Sequence, residues 1–180
     1  MRAVLVNADL ELERRRRLGI DRQDECWDGE WHLVNPPKRW HPRLNSDMFR
    51  ALAPIADRAG LSSYCEATGV YEDLDDNWRV PDQVYVRSDQ EIEEGVTSAE
   101  LVVEVRSPGD DSYAKLPFYA ERGVTEVLIV HQDRRFDLYR LAEGEYQPVE
   151  DGRSATLGVT FSTVDEPKLR IDWDGGSADV

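Results

Sequence analysis

The apolar segment LVVEVR, residues 101–106, carries a carboxylate where packing alone would favour another aliphatic residue. Burying an unpaired carboxylate is costly, so a buried strand with Glu104 in it needs a cation nearby. Side chains alternate across a strand, and Glu104 and Arg106 therefore share one face while Val105 points to the other. We expect something positively charged to hold Glu104.

A second carboxylate precedes this strand. Asp82 follows Pro81, and proline is tolerated where a strand begins because its missing N–H costs no ladder bond. If the two strands pair, Asp82 and Glu104 come close together, an arrangement that suits a Mg²⁺ or Mn²⁺ ion. Lys115, in the first turn of the next helix, can reach the same place. The residues alone also allow a buried ion pair of Glu104 with Arg106 or Lys115.

The elements that must position these side chains follow from hydrophobic periodicity. The pattern predicts a first helix through ADLELERRRRL, capped by Asn7 and ended by Gly19, and a second through RLNSDMFRALAPIADRAG. We interpret the arginine run of the first helix as a solvated helix end rather than a DNA contact. A short strand is predicted in GEWHLVNPP between these helices, and a single strand in WRVPDQVYVR after them.

The second half of the chain predicts an α+β fold with a mixed sheet. Strands LVVEV and EVLIV flank a helix around YAKLPFYAERG, which makes a parallel βαβ unit, while WRVPDQVYVR and LVVEV should pair antiparallel. The helix should start near residues 112–114, so that Pro117 falls in its first turn. The strand RFDLYRLAE follows, and residues 146–180 add short strands or a loop that covers a sheet edge.

Length and composition favour one domain over residues 1–180, with a helix within residues 1–20 and a strand-rich tail over 146–180. The 180 residues are 40% hydrophobic and 33% charged, which is ordinary for a soluble protein. The sequence has no apolar run of the roughly 20 residues that a membrane helix needs. We expect a cytoplasmic protein without a membrane partner, whose two cysteines are free thiols.

Net charge argues against binding nucleic acid through bulk electrostatics, since the formal total is −15. The distribution is uneven: residues 1–60 hold 11 Lys/Arg and 10 Asp/Glu, whereas residues 61–180 hold 11 and 27. The acidic groups can form a divalent-cation site, a solvated face or a surface that imitates nucleic acid, and for most of them the solvated face is favoured.

One series of motifs is similar to a known family. It runs through Trp27-Asp28-Gly29-Glu30, Pro36-Pro37 and His41, WRVPD, ELVVEVRSP, Lys115, FYAERGV and EVLIV. Together these resemble the Uma-type restriction endonuclease family of the PD-(D/E)xK nuclease superfamily, over about residues 20–145, with a weaker echo in GVTFSTVDEPKLRI.

The resemblance implies a restriction-endonuclease-like mixed β-sheet flanked by helices, and Mg²⁺-dependent or Mn²⁺-dependent hydrolysis of DNA. Asp82 and Glu104 would hold the metal with the carbonyl of Val105, and Lys115 would assist catalysis. Glu30 and His41 match positions near the site and would be auxiliary.

Arg106 departs from the family pattern, which has an apolar residue there. Arginine stays protonated, so it cannot act as a base. It could clamp a phosphate as a catalytic residue, or pair with Glu104 in the place of the metal and make the site inert.

Three functions therefore remain open. The leading one is a metal-dependent DNA endonuclease, which could act as a homodimer. The others are a catalytically inert protein of the same fold that binds a protein partner, and an acidic mimic of nucleic acid. The tryptophans are most simply packing residues, although Trp40 and Trp78 could line a substrate groove.

Overall fold

A computed structural model describes residues 8–65, 69–73, 76–90, 95–164 and 167–180. Its elements, in chain order, are α1 (Ala8–Leu18), β1 (Glu25–Trp27), β2 (Glu30–His32), α2 (Trp40–Arg58), β3 (Leu61–Cys65), β4 (Gly69–Asp73), β5 (Asn77–Arg79), β6 (Gln83–Arg87), β7 (Gly95–Val96), β8 (Leu101–Arg106), a 3₁₀ turn (Ser112–Lys115), α3 (Leu116–Glu121), β9 (Glu126–His131), β10 (Phe136–Ala142), β11 (Glu145–Pro148), β12 (Arg153–Ser154), β13 (Val159–Val164), β14 (Lys168–Trp173) and β15 (Gly176–Asp179). No helix among the described residues is long and apolar enough to cross a membrane.

The first helix ends as its sequence predicts, at Gly19, whose φ of +64° suits glycine. Asn7, the predicted cap, lies outside the described residues. The prediction of a wholly solvated arginine run is wrong for Arg15, which is buried and donates to Asp24 at 2.6 Å from both Nε and Nη2. This ion pair joins α1 to the segment that leads into β1.

The central sheet has six strands in the order β11-β10-β9-β8-β6-β3. Strands β8 and β9 are parallel and joined through the 3₁₀ turn and α3, while β6 and β8 are antiparallel. The predicted mixed sheet is therefore confirmed. The helical segment starts at Ser112, and Pro117 lies in the first turn of α3, where its missing N–H costs no bond.

The prediction of one continuous strand through WRVPDQVYVR is wrong. Residues 77–79 form β5 in a five-stranded sheet, β2-β1-β5-β4-β7, whereas residues 83–87 form β6 in the six-stranded sheet. Pro81 lies between them, and a residue without an N–H cannot continue a two-sided ladder. The break leaves Asp82 in a bend where the chain passes from one sheet to the other.

Two apolar cores lie on opposite faces of the six-stranded sheet. Val103 and Val105 of β8 face a core shared with α2 and with the four-stranded sheet β12-β13-β14-β15, so the tail forms strands. Val102 of the same strand faces a second core, which includes Phe118 and Tyr119 of α3. Strand alternation places Glu104 on this second face, beneath α3.

Candidate active site

Glu104 is buried and held by a lysine and a tyrosine. Lys115 Nζ donates to its two carboxylate oxygens at 3.0 and 3.1 Å, and the Tyr119 hydroxyl donates to Oε1 at 2.7 Å. Burial, together with the charges of Asp82 and Glu25, raises the pKa of Glu104 to about 7 despite the attraction of Lys115. The expected cation beside Glu104 is therefore Lys115.

A third carboxylate, Glu25 of β1, belongs to the same cluster and was not predicted from the sequence. Lys115 Nζ lies 2.7 Å from its Oε1, which also accepts the Val80 N–H at 2.9 Å. Its Oε2 accepts the indole N–H of Trp27 at 2.8 Å. The sequence pattern around Glu25 is a weak signal for a buried site residue, because β1 has three residues and is too short to show an alternating pattern.

Lys115 is the centre of the cluster. The 3₁₀ turn before α3 directs its side chain back towards β8 and β1, where it is only 12% exposed. Burial lowers the pKa of an ammonium, but the charges of Glu104 and Glu25 outweigh that effect and raise the pKa of Lys115. The lysine therefore stays charged at neutral pH.

Asp82 lies beside Glu104, as the predicted strand pairing requires. Its Oδ2 accepts the backbone N–H of Val105 at 2.7 Å and lies 3.5 Å from Nε2 of His41, which is in the first turn of α2. The contact with Val105 uses the N–H, so the predicted role of the Val105 carbonyl stays a prediction. Of the two predicted auxiliary residues, His41 is in the site.

The other predicted auxiliary residue, Glu30, is exposed at the start of β2, across from Trp27. On the neighbouring strand, Glu25 is the glutamate that reaches Lys115. The two residues lie on either side of the tight turn at Asp28 and Gly29, which have φ of +50° and +83°. The motif Trp27-Asp28-Gly29-Glu30 thus indicated the correct hairpin. It pointed to Glu30 on the outer strand β2, whereas Glu25 on β1 is the residue in the site.

Arg106 does not take the ion-pair position beside Glu104. Its Nε lies 3.7 Å from Asp110, and its guanidinium stacks 5.2 Å from the centre of the Tyr113 ring. Its side chain is 29% exposed, although the Nε atom itself is buried.

A second buried cation, Arg79, lies on the Glu25 side of the cluster. Its guanidinium is sandwiched between the rings of Trp27 and Phe118, at 4.3 and 4.2 Å. Burial lowers the pKa of Arg79, and the negative charge of Glu25 opposes this. Since Nη1 also donates to the carbonyl of Cys26 at 2.8 Å, Arg79 fixes β1 against α3.

The chemistry of this cluster fits a divalent metal ion. Glu25, Asp82 and Glu104 supply carboxylate oxygens, the ligands that Mg²⁺ and Mn²⁺ prefer, and Lys115 forms ion pairs with two of them, Glu25 and Glu104. Among the described residues, however, no three His, Cys, Asp or Glu side chains are already arranged to hold an ion. Metal binding would therefore require Lys115 to release part of its contact with Glu104.

The sheet order and the buried acidic cluster define a restriction-endonuclease-like protein. A family profile described as Uma2, "Putative restriction endonuclease", matches residues 11–165. The chain belongs to the Uma2 family, which confirms the resemblance found in the sequence.

A solved structure supports the fold. The chain is similar to a protein from Anabaena variabilis described as a "putative nuclease belonging to DUF820", with a TM-score of 0.56 and 12% identity, over 73% of this chain and 78% of that one. No curated protein matches the sequence. At this identity the structural likeness establishes the fold alone.

Proposed function

We propose that this protein is a metal-dependent DNA endonuclease whose active site consists of Glu25, Asp82, Glu104 and Lys115. The observation that carries the proposal is a cluster of three carboxylates from three separate segments. Glu25 and Glu104 contact the buried ammonium of Lys115, and Asp82 lies beside Glu104. Among the described residues, the three carboxylates outnumber the two buried cations beside them, Lys115 and Arg79, by one, and this surplus negative charge supports a site for a further cation.

A divalent ion bound here would polarise the scissile phosphate and lower the pKa of an attacking water. Lys115 would keep its proton on Nζ and stabilise the charge that develops on the phosphoryl oxygens. Glu25 would hold Lys115 in place at 2.7 Å, and Tyr119 would orient Glu104 through its 2.7 Å hydrogen bond. Arg106, packed on Tyr113, would bind a neighbouring phosphate.

The direct test combines calorimetry with plasmid cleavage. By calorimetry we expect one Mn²⁺ site in the wild type that is lost in Asp82→Ala. In Mg²⁺ we expect the protein to nick supercoiled plasmid, and EDTA or Glu104→Gln should each abolish this cleavage. Removing a group that acts on the transition state typically lowers the rate by about 10²–10³. Equal cleavage by wild type and Asp82→Ala would show that the activity comes from another source.

Glu126 offers a matched control, because it is fully buried like Glu104 but lies outside the cluster. It accepts hydrogen bonds from the Ser154 hydroxyl at 2.5 Å and from the Arg140 Nε at 2.9 Å. Glu126→Gln should lower stability and leave Mn²⁺ affinity unchanged. A similar loss of Mn²⁺ binding in this variant would indicate general damage to the fold.

One observation favours a second function, a catalytically inert protein of the same fold. Lys115 already contacts both Glu25 and Glu104, and such a closed ion-pair network is stable without a metal. In that case calorimetry would detect no Mn²⁺ site, and Asp82→Ala would affect neither metal binding nor cleavage.

A further inference from the structure

A second concave site lies between α1 and the five-stranded sheet. It is a cavity of about 240 Å³ whose walls include Trp31, Trp78, Arg16 and Arg22. The two indole rings meet edge to face, with centroids 5.1 Å apart. We call this the tryptophan pocket, and none of these four residues takes part in the acidic cluster.

The tryptophan pocket and the acidic cluster lie on opposite faces of the same strands. Cys26 of β1 is directly opposite Trp31 on one side and Trp78 on the other, and directly paired residues share a face. Glu25 and Trp27, the neighbours of Cys26, therefore point to the other face, where Glu25 meets Lys115. One layer of backbone separates the two sites.

The charge at the pocket is favourable for an anion. Two carboxylates also line it: Asp24, which Arg15 neutralises at 2.6 Å, and Asp21. Arg16 and Arg22 together therefore leave one positive charge in excess at the cavity. Arg16 and Arg22 are exposed, and within the described part of the chain neither has an ion pair with a carboxylate. Although the protein has a net charge of −15, the tryptophan pocket thus combines guanidinium groups with aromatic rings and can attract an anion.

We infer that the tryptophan pocket binds one unpaired nucleotide of a DNA strand, with the base against the indoles and a phosphate on Arg16 and Arg22. Base stacking on aromatic rings combined with arginine is how proteins hold single strands. The cavity of about 240 Å³ is smaller than the roughly 300–1,000 Å³ typical of drug-sized ligands, which suits one flat base. The choice of DNA as ligand rests on the proposed function.

The test is fluorescence anisotropy of a labelled twelve-nucleotide thymidine strand with the 180-residue chain in EDTA, where no cleavage is expected. We expect Trp31→Ala to weaken binding by at least about five-fold, since stacking on one ring contributes about that much. Trp31→Phe should restore most of the affinity, because phenylalanine also offers a ring to stack on. If Trp31→Ala binds as the wild type does, the inference is wrong.

Arg16→Ala/Arg22→Ala tests the binding of the phosphate, and Arg14→Ala/Arg17→Ala is its matched control. Both double variants remove two positive charges, but Arg14 and Arg17 do not line the cavity. We expect only the first double variant to lower the salt dependence of binding, by about 0.7 in log K per log salt for each phosphate that is no longer neutralised. Equal effects of the two double variants would mean diffuse attraction to α1 and would overturn the inference.

Three further outcomes separate this inference from its alternatives. Thymidine monophosphate competing as well as the strand would assign the pocket to a free nucleotide and overturn the strand assignment. If plasmid cleavage fails while strand binding depends on Trp31 and Arg16, the proposed nuclease activity is wrong and the pocket inference stands. If plasmid cleavage requires Asp82 but Trp31→Ala binds the single strand as tightly as the wild type, only the pocket inference is wrong.

Discussion

Two buried glutamates of this chain, Glu126 and Glu104, have different surroundings, and they differ in how fully their charge is compensated. Glu126 accepts hydrogen bonds from the N–H groups of Ala155 and Thr156, besides those from Ser154 and Arg140, which compensates its charge fully. Glu104 instead shares its lysine with another carboxylate and lies near a third. The stability of the acidic cluster thus depends on which cation compensates its surplus negative charge.

Glu104→Gln should change how stability depends on pH. Burial raises the pKa of Glu104 from 4.5 to about 7, so the native state binds this proton more tightly than the unfolded chain does. Its protonation therefore stabilises the fold fully below about pH 4.5, and this contribution is lost as the pH rises through about 7. Relative to Glu104→Gln, the wild type should lose on the order of 3 kcal/mol across that range. Chemical denaturation at several pH values measures this difference. If the free energy of unfolding depends on pH in the same way in the wild type and in Glu104→Gln, the raised pKa is contradicted.

Lys115→Met should separate metal binding from catalysis. The variant leaves Glu25 and Glu104 without their shared cation, so in EDTA the free energy of unfolding should fall by roughly 3–5 kcal/mol. Mn²⁺ can take over that role, and we expect its affinity to equal or exceed that of the wild type while plasmid cleavage is lost. Calorimetry and cleavage assays measure these effects, with the exposed Lys38→Met as control. Loss of Mn²⁺ binding would mean that Lys115 helps to build the metal site.

At the scale of elements, a buried amide pair sets the distance between α2 and β6. Gln83 Nε2 donates to the Asn45 side chain at 2.7 Å and to its backbone carbonyl at 3.1 Å. Asp82 directly precedes Gln83, and His41 lies one turn before Asn45 on the same helix face. These two hydrogen bonds therefore align His41 with Asp82.

Gln83→Leu should weaken Mn²⁺ binding, although Gln83 is not itself part of the acidic cluster. The change removes the two hydrogen bonds to Asn45 and the one accepted from the Tyr85 hydroxyl. The free energy of unfolding should fall by about 1–3 kcal/mol, and Mn²⁺ affinity by about ten-fold, as for other supporting residues of metal sites. Tyr85→Phe is the control, because it removes the hydroxyl that donates to Gln83 and keeps the link to α2. Denaturation and calorimetry measure the effects. If Mn²⁺ affinity is unchanged while stability falls, Gln83 has a packing role only.

The whole molecule carries a net charge of −15, which repels DNA at long range. Residues 61–180 carry the excess of acidic groups, whereas residues 1–60 are close to neutral and supply the arginines of α1 and α2. The proposed binding of duplex DNA would therefore depend on local positive groups and on cations held by the acidic cluster.

Divalent ions should accordingly strengthen binding of duplex DNA. Ca²⁺ commonly replaces Mg²⁺ at carboxylate sites, and it would offset the charge of Glu25, Asp82 and Glu104. We expect at least about ten-fold tighter binding in Ca²⁺ than in EDTA at matched ionic strength, by electrophoretic mobility shift. Asp82→Ala should show no such gain. Equal affinity in EDTA and Ca²⁺ would place the duplex contacts away from the cluster.

Much of the central sheet could be predicted from the sequence. The alternation in LVVEVR placed Glu104 on one face, and the crossover helix between β8 and β9 required a parallel pair. Lys115 followed from the position of Pro117 in the first turn of α3. These features depend on local periodicity and on turn chemistry, which neighbouring residues carry.

Only the tertiary structure decided which distant groups complete the site. Glu25 comes from a three-residue strand of a different sheet, and Asp82 reaches Glu104 because the chain changes sheets at Pro81. It also decided that Lys115, rather than Arg106, occupies the place beside Glu104. Both cations lie within reach of that carboxylate by sequence spacing, and the choice between them depends on the packing of α3 and Tyr113, a long-range property that no local pattern encodes.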